Sequence, residues 1–185
     1  MVHTVLPTLR TRRLILRPFT LADAPAVQRL AGAPEIYSTT RTIPHPYEDG
    51  MAEAWISSRA DAFAAGQAAS FAVTLEDNTL VGATGLNLEP ADHRAELGYW
   101  IGVPYWGHGY ATESAEAVMA FGFESLQLHR IHACFLRRNP ASGRVMEKLG
   151  MQYEGTRRQH EVKLGVHEDL VHYGILRTDP RGPTA

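Results

Sequence analysis

From Tyr99 to Glu113 the chain reads Tyr-Trp-Ile-Gly-Val-Pro-Tyr-Trp-Gly-His-Gly-Tyr-Ala-Thr-Glu. An apolar run breaks into a glycine-containing loop and resumes as a helical pattern. The first turn of a helix carries free backbone N–H groups and the positive end of the helix dipole, so such a junction can hold a phosphate or pyrophosphate. Gly107 and Gly109 would let the backbone approach the anion, because no Cβ intervenes. The spacing is neither of the common phosphate loops. It lacks a Lys-Ser/Thr ending, and Gly107-His108-Gly109-Tyr110-Ala111 does not complete G-x-G-x-x-G. A tight strand-to-helix turn that needs glycine explains the same residues.

A second stretch, Arg138-Asn139-Pro140-Ala141-Ser142 and on to Met151, reads first as helix punctuation. Asn139 is a good N-cap, Pro140 a good first helical residue and Gly150 a stop. Only Ser142 has no such explanation. The single cysteine, Cys134, excludes an intramolecular disulfide and fits a reducing compartment. It lies in an apolar run, where it reads as a small buried residue without an activating context. The nine histidines show no metal pattern. His129 and His132 are three apart at a strand start, and the spacing from His167 to His172 matches no common ligand motif.

The elements that must position these residues follow from periodicity. A strand is expected over 13–19 and a helix over 21–31, capped by Thr20 and ended by Gly32 and Pro34. The prolines at 44 and 46 mark a loop, and a second helix runs from Met51 to about Ala65. A hairpin follows, with strands near 71–75 and 80–88 and a turn at 76–79. A strand over 95–103, a helix over 111–125, a strand over 130–136 and a short helix over 140–149 come next. Two final strands, 151–162 and 166–177, turn at Gly165. Hairpins followed by one strand–helix–strand crossover imply an α+β mixed, mostly antiparallel sheet of about seven strands with about four helices.

The chain has 185 residues, 44% hydrophobic and 21% charged, with a formal net charge of −2. One domain over residues 1–178 with a loose tail at 179–185 is expected. The charge gives no general attraction to nucleic acid or to an anionic membrane. No apolar run approaches the ~20 residues of a membrane span, and the start carries no signal-peptide pattern. A cytoplasmic location is expected.

The motifs resemble the GNAT N-acetyltransferase superfamily, in particular its RimJ/RimL-like branch. Trp106-x-x-Gly109-x-Ala111 is similar to that family's Gln/Arg-x-x-Gly-x-Gly/Ala loop, with Trp106 at the first position. Asn139-x-x-Ser142 through Lys148-x-Gly150-Met151 resembles its second block, with Met151 in place of Phe. Leu9-x-Thr11-x-Arg13 with Asp23, and Tyr153-Glu154-Gly155 with Asp169, match its beginning and its end. The resemblance spans residues 9–177.

It implies acetyl-CoA as acetyl donor, an amine acceptor, and direct attack in a ternary complex on a sheet splayed at the cofactor site. Trp100, Ile101, Gly102 and Val103 would pair their backbone with pantetheine. Trp106, Gly107, His108, Gly109, Tyr110, Ala111 and Thr112 would hold the pyrophosphate. Asn139 would orient the cofactor and Arg144 could meet a phosphate. Ser142 aligns with the serine that protonates the leaving thiolate, though an exposed first-turn serine is the plain alternative. Glu161 is the favoured base and Glu96 its rival. An unperturbed carboxylate would need a raised pKa or a water relay to deprotonate an ammonium ion.

The acceptor groove is expected to involve 36–47 and the 165–169 turn. The acceptor is a protein N-terminal amine, as in ribosomal proteins, or a small amine such as an amino acid, polyamine or antibiotic; a homodimer is left open. Two other classes compete: a catalytically silent acetyl-CoA-binding module, and an unrelated nucleotide-binding α/β protein. The former predicts cofactor binding without thiol release, and the latter affinity for NAD over acetyl-CoA.

Overall fold

The computed structural model describes residues 5–180, so residues 181–185 of the expected tail lie outside the described residues. Near the start, Thr11 closes a turn: its N–H donates to Leu14 O at 3.0 Å, and its Oγ1 accepts from Leu14 N at 3.0 Å. The turn splits the expected first strand into a pair, β1 (Leu9–Arg10) and β2 (Ile15–Arg17). The count of strands therefore rises from about seven to eight. Arg17 then forks onto Asp23 through Nη1 at 2.8 Å and Nη2 at 2.7 Å. Burial pushes the Asp23 carboxyl up, but bonds from Arg17 and Thr20 more than offset it and hold its pKa below the usual range.

Among the described residues, six α-helical segments replace the expected four or so. Beyond a 3-10 turn, α1 (Ala24–Ala31) ends at Gly32, and α2 (Pro34–Thr39) begins at once. Pro34 does not only stop one helix; it occupies the first turn of the next, where a missing N–H costs nothing. The helix expected from Met51 to Ala65 is α3 (Met51–Ser57) and α4 (Arg59–Ala64). They part at Ser58, whose hydroxyl donates to Trp55 O at 2.8 Å and competes with the helical ladder.

The remaining elements fall within a few residues of expectation. They are β3 (Ala68–Thr74), β4 (Leu80–Glu89), β5 (Arg94–Ile101), α5 (Tyr110–Glu124), β6 (Arg130–Leu136), α6 (Pro140–Lys148), β7 (Gln152–Lys163) and β8 (Val166–Leu176). Leu164 and Gly165, both at positive φ, form the tight turn of the last hairpin. The sheet order is β1-β2-β3-β4-β5-β6-β8-β7, and β5 with β6 is its parallel pair. The fold is α+β and mostly antiparallel, as expected.

Two features prepare the site. First, β5 and β6 pair only at Arg94↔Arg130, Ala95↔Ile131 and Glu96↔His132. Both strands continue beyond these rungs, so the sheet opens from Leu97 onward. Second, alternation along each strand sends Ala95, Leu97, Ile131 and Ala133 into the core cluster shared with α5 and α6 residues. Trp100 instead joins the smaller cluster built on α1 and α3. Glu96 and Cys134 share that second face.

Candidate active site

The opening is the wall of a cavity of about 760 Å³ that runs from the glycine loop to the α2–α3 segment. On the loop side, Gly107 and Gly109 take φ of +80° and +79°. A side chain there is strained whatever the space, so both glycines answer to backbone conformation. Gly109 is the N-cap of α5, and no side chain caps that helix. The N–H groups of Tyr110, Ala111 and Thr112 are therefore the unsatisfied first-turn donors of a 15-residue helix. Glu113, in the same turn, is tied off: Oε1 accepts from Thr11 Oγ1 at 2.6 Å and from Arg13 N at 2.9 Å, and Oε2 from Arg13 Nε at 2.7 Å. This staple fixes the helix start against the β1–β2 turn and ties up the carboxylate of the first turn.

The register narrows the expected backbone contacts to the coenzyme arm. Gly102 N donates to Val81 O at 2.8 Å. Antiparallel pairing alternates, so Trp100, matched to Ala83, also directs its backbone to β4. Tyr99 and Ile101 are the residues whose N–H and C=O face the opening, and Ile101 O already accepts from Trp106 Nε1 at 2.5 Å. Gly102 packs closely on Leu30, whose Cδ2 would have to shift from a Cβ built there at 2.8 Å. Val103 lies in a 3-10 turn. His108 stacks on Tyr110 at 5.4 Å between centroids and is exposed. Gly102, Val103 and His108 do not line the cavity; the other nine loop, strand and Arg144 positions expected to meet the cofactor do.

Ser142 sits in the first turn of α6. Asn139 caps that helix, its Oδ1 accepting from Ser142 N at 3.4 Å and its Nδ2 donating to Thr39 O at 3.3 Å. These bonds tie α6 to the end of α2, and Asn139 also lines the cavity. Ser142 Oγ lies 2.9 Å from Tyr99 Oη, which also donates to Ser142 O at 3.1 Å. Burial, only partly opposed by the bond to Ser142, pushes the Tyr99 hydroxyl up to about 12. It stays protonated across the working range.

Across the sheet the two expected carboxylates meet on one residue. Arg41, just past α2, donates through Nη1 to Glu96 Oε1 at 2.9 Å and through Nε to Glu161 Oε1 at 3.0 Å. Its Nη1 is also 3.2 Å from Cys134 Sγ, and that thiol reaches Glu96 Oε1 at 3.2 Å. Burial opposes the charge on Arg41, but Cys134, Glu96 and Glu161 together raise its pKa above the ordinary value. Burial and then Glu96 push the Cys134 thiol up to about 12, so the thiolate is scarce. Glu161 reaches this place because β7 slips its register between Arg157 and Glu161, with Asp169 Oδ1 accepting from Gln159 N at 2.9 Å to hold the bulge. His132 and His172 occupy the same face, and burial lowers both imidazole pKa values.

Residues 36, 39–44 and 47 line the cavity as expected; the 165–169 turn does not. Two residues were not anticipated. Tyr99 opens the motif but reads as strand packing, and Arg41 sits in a loop with no motif at all.

An opened parallel strand pair beside an uncapped, glycine-led helix start suits a coenzyme A-dependent acyltransferase. The chain belongs to the GNAT acetyltransferase family, whose "Acetyltransferase (GNAT) domain" model matches residues 13–152, and it is an acetyl-CoA-dependent N-acetyltransferase of that family. It is 31% identical over 177 residues to the uncharacterized N-acetyltransferase p20 of Bacillus licheniformis, covering 95% of this chain and 99% of that protein. It is 29% identical over 112 residues to the ribosomal-protein-serine acetyltransferase of Escherichia coli, covering 60% and 62%. The crystal structure of a GNAT-family acetyltransferase from Bacillus anthracis superposes with a TM-score of 0.82 at 28% identity, covering 94% of this chain and all of that one.

Proposed function

We propose that the protein transfers the acetyl group of acetyl-CoA to the N-terminal amine of a protein, ribosomal proteins being the first class to test, by direct attack in a ternary complex. The observation that carries this reading is the pairing of Glu96 and Glu161 at the mouth of the sheet opening, on the face opposite Ser142. The similarity to a ribosomal-protein acetyltransferase supports the choice of acceptor.

The residues present fit the coenzyme: positive-φ glycines, an uncapped helix start and a strand edge left open at Tyr99. Tyr110, Ala111 and Thr112 would hold the pyrophosphate through backbone N–H, with Arg144 near by on the cavity wall. When bound, the coenzyme supplies the acetyl thioester. Glu161 then takes the proton of the acceptor ammonium, with Glu96 as its rival. The Tyr99 N–H faces the opening, where it can hold a carbonyl oxygen that gains negative charge. Ser142, backed by the protonated Tyr99 hydroxyl, is placed on the other face to give a proton to the departing sulfur. Cys134 forms no acyl intermediate, because its thiol is held protonated.

A second reading, a small amine as acceptor, draws on one observation. Beside Glu96 the cavity wall is apolar and aromatic, with Ile43, Tyr47, Trp55 and Trp100. Thiol release from acetyl-CoA across N-terminal peptides, amino acids, polyamines and aminoglycosides separates the two. Turnover of peptides above all small amines supports the first reading, and the reverse order supports the second. Cofactor binding with no release for any amine would overturn both.

A further inference from the structure

Arg41 is bound by more partners than a loop arginine needs. One guanidinium joins a carboxylate on β5, a carboxylate on β7 and the Cys134 thiol on β6, all within 2.9–3.2 Å. Its side chain is one-third exposed, as are those of the two glutamates. The group therefore sits at the cavity wall and is not sealed in the core. The loop that carries it, between α2 and α3, is anchored at its ends by Thr40 N to Ile36 O at 3.0 Å and by Gln28 Nε2 to Asp49 Oδ1 at 2.7 Å. Among the described residues Arg41 has no hydrogen-bond or ion-pair partner other than Glu96, Glu161 and Cys134. The position it fills lies beside the last paired rung of β5 and β6, at the edge of the opening.

We infer that Arg41 occupies the seat of the acceptor's ammonium group, so that the acceptor enters as a cation and displaces the guanidinium from Glu96 and Glu161. This rests on the reading of the protein as an amine acetyltransferase and adds how its acceptor is recognised. The chemistry is that of one cation replacing another between two carboxylates. An incoming R-NH3+ offers three donors to the same oxygens. Ion pairs of this partial exposure are individually weak, which lets an acceptor compete. It also explains why the two glutamates are not left as an unpaired anionic pair before the acceptor arrives. The acceptor amine must carry a positive charge at the reacting nitrogen when it binds; amides and anilines, neutral at pH 7, are excluded as efficient acceptors.

The test uses the full chain with Arg41→Lys, which puts a primary amine on the seat. Its only native lysines, Lys148 and Lys163, serve as internal controls. Incubated with acetyl-CoA alone, the variant is expected to gain one acetyl group, about 42 Da, at position 41. The amine nitrogen bonds to the carbonyl carbon, the C–S bond breaks, the coenzyme leaves as its thiol, and the proton shed by the ammonium passes to a carboxylate. Arg41→Met gives the second measure. Removing the competitor should lower KM for a free amine about 2- to 5-fold, the size set by surface ion pairs, and millimolar guanidinium should then inhibit competitively against the amine. Free amines acetylated by Arg41→Lys while position 41 stays unmodified, with KM raised in Arg41→Met, would overturn the seat and leave the acetyltransferase reading standing. No amine-dependent thiol release from wild type or either variant would overturn that reading, and the seat with it.

Discussion

The two faces of the opened sheet are built by different means. On the α5–α6 face, the parts are backbone and caps: two positive-φ glycines, an uncapped helix start, and an asparagine-capped helix that presents Ser142 to Tyr99. On the other face, the parts are charged side chains from distant segments. Arg41 meets Glu96 across 55 residues of chain and Glu161 across 120. The first face can bind a cofactor through geometry that tolerates side-chain change. The second can be retuned residue by residue.

If this division holds, the largest single loss of turnover comes from the charged face. Glu161→Gln should lower kcat/KM for an amine about 100-fold, the usual range for losing a general base. A larger loss in Glu96→Gln would transfer the role to the rival carboxylate, and steady-state kinetics of the two variants side by side decides it. On the other face, Ser142→Ala should lower kcat about 10-fold, because a thiolate with pKa near ~8–9 leaves without full protonation. Undiminished turnover would remove the acid role from Ser142. Smaller still is the effect expected of Cys134→Ala, within about threefold in kcat, since a thiol titrating near 12 contributes no nucleophile at neutral pH. The same reasoning sets a pH expectation. Tyr99 and Cys134 both titrate near 12, so both keep their protons as pH rises from 7 to 10. An alkaline fall in kcat inside that window should persist in Tyr99→Phe and in Cys134→Ala.

The same contrast explains how far the sequence could be read. Local rules mark the α5–α6 face: glycine where φ must be positive, asparagine then proline where a helix must start. The strands from 68 onward were legible because their two-residue period is strong. The split at Thr11 and the break at Ser58 were not, since each depends on one side-chain bond that periodicity ignores, nor was the helix at Pro34, since a proline that stops one helix can also open the next. Glu161 and Glu96 were named through family resemblance. What brings them together, a register slip in β7 and an arginine in a loop, leaves no local signal. Tyr99 was hidden for the opposite reason, because a half-buried strand tyrosine looks like packing until its hydroxyl is seen on Ser142.

Calorimetric titration of acetyl-CoA tests the central claim, that donor binding belongs to the glycine-led helix start and not to the carboxylate face. Gly109→Val, forcing a β-branched residue to φ of +79°, should weaken the Kd at least about 10-fold, in line with the roughly 1–3 kcal/mol of such backbone strain, with the fold retained by circular dichroism. Glu161→Gln should leave the same Kd within about twofold, because Glu161 lies on the other face of the sheet and substitutions at distant sites with no shared partner couple by only about 0.3–0.5 kcal/mol. Equal affinity for Gly109→Val and wild type, or a matching loss in Glu161→Gln, would contradict the account.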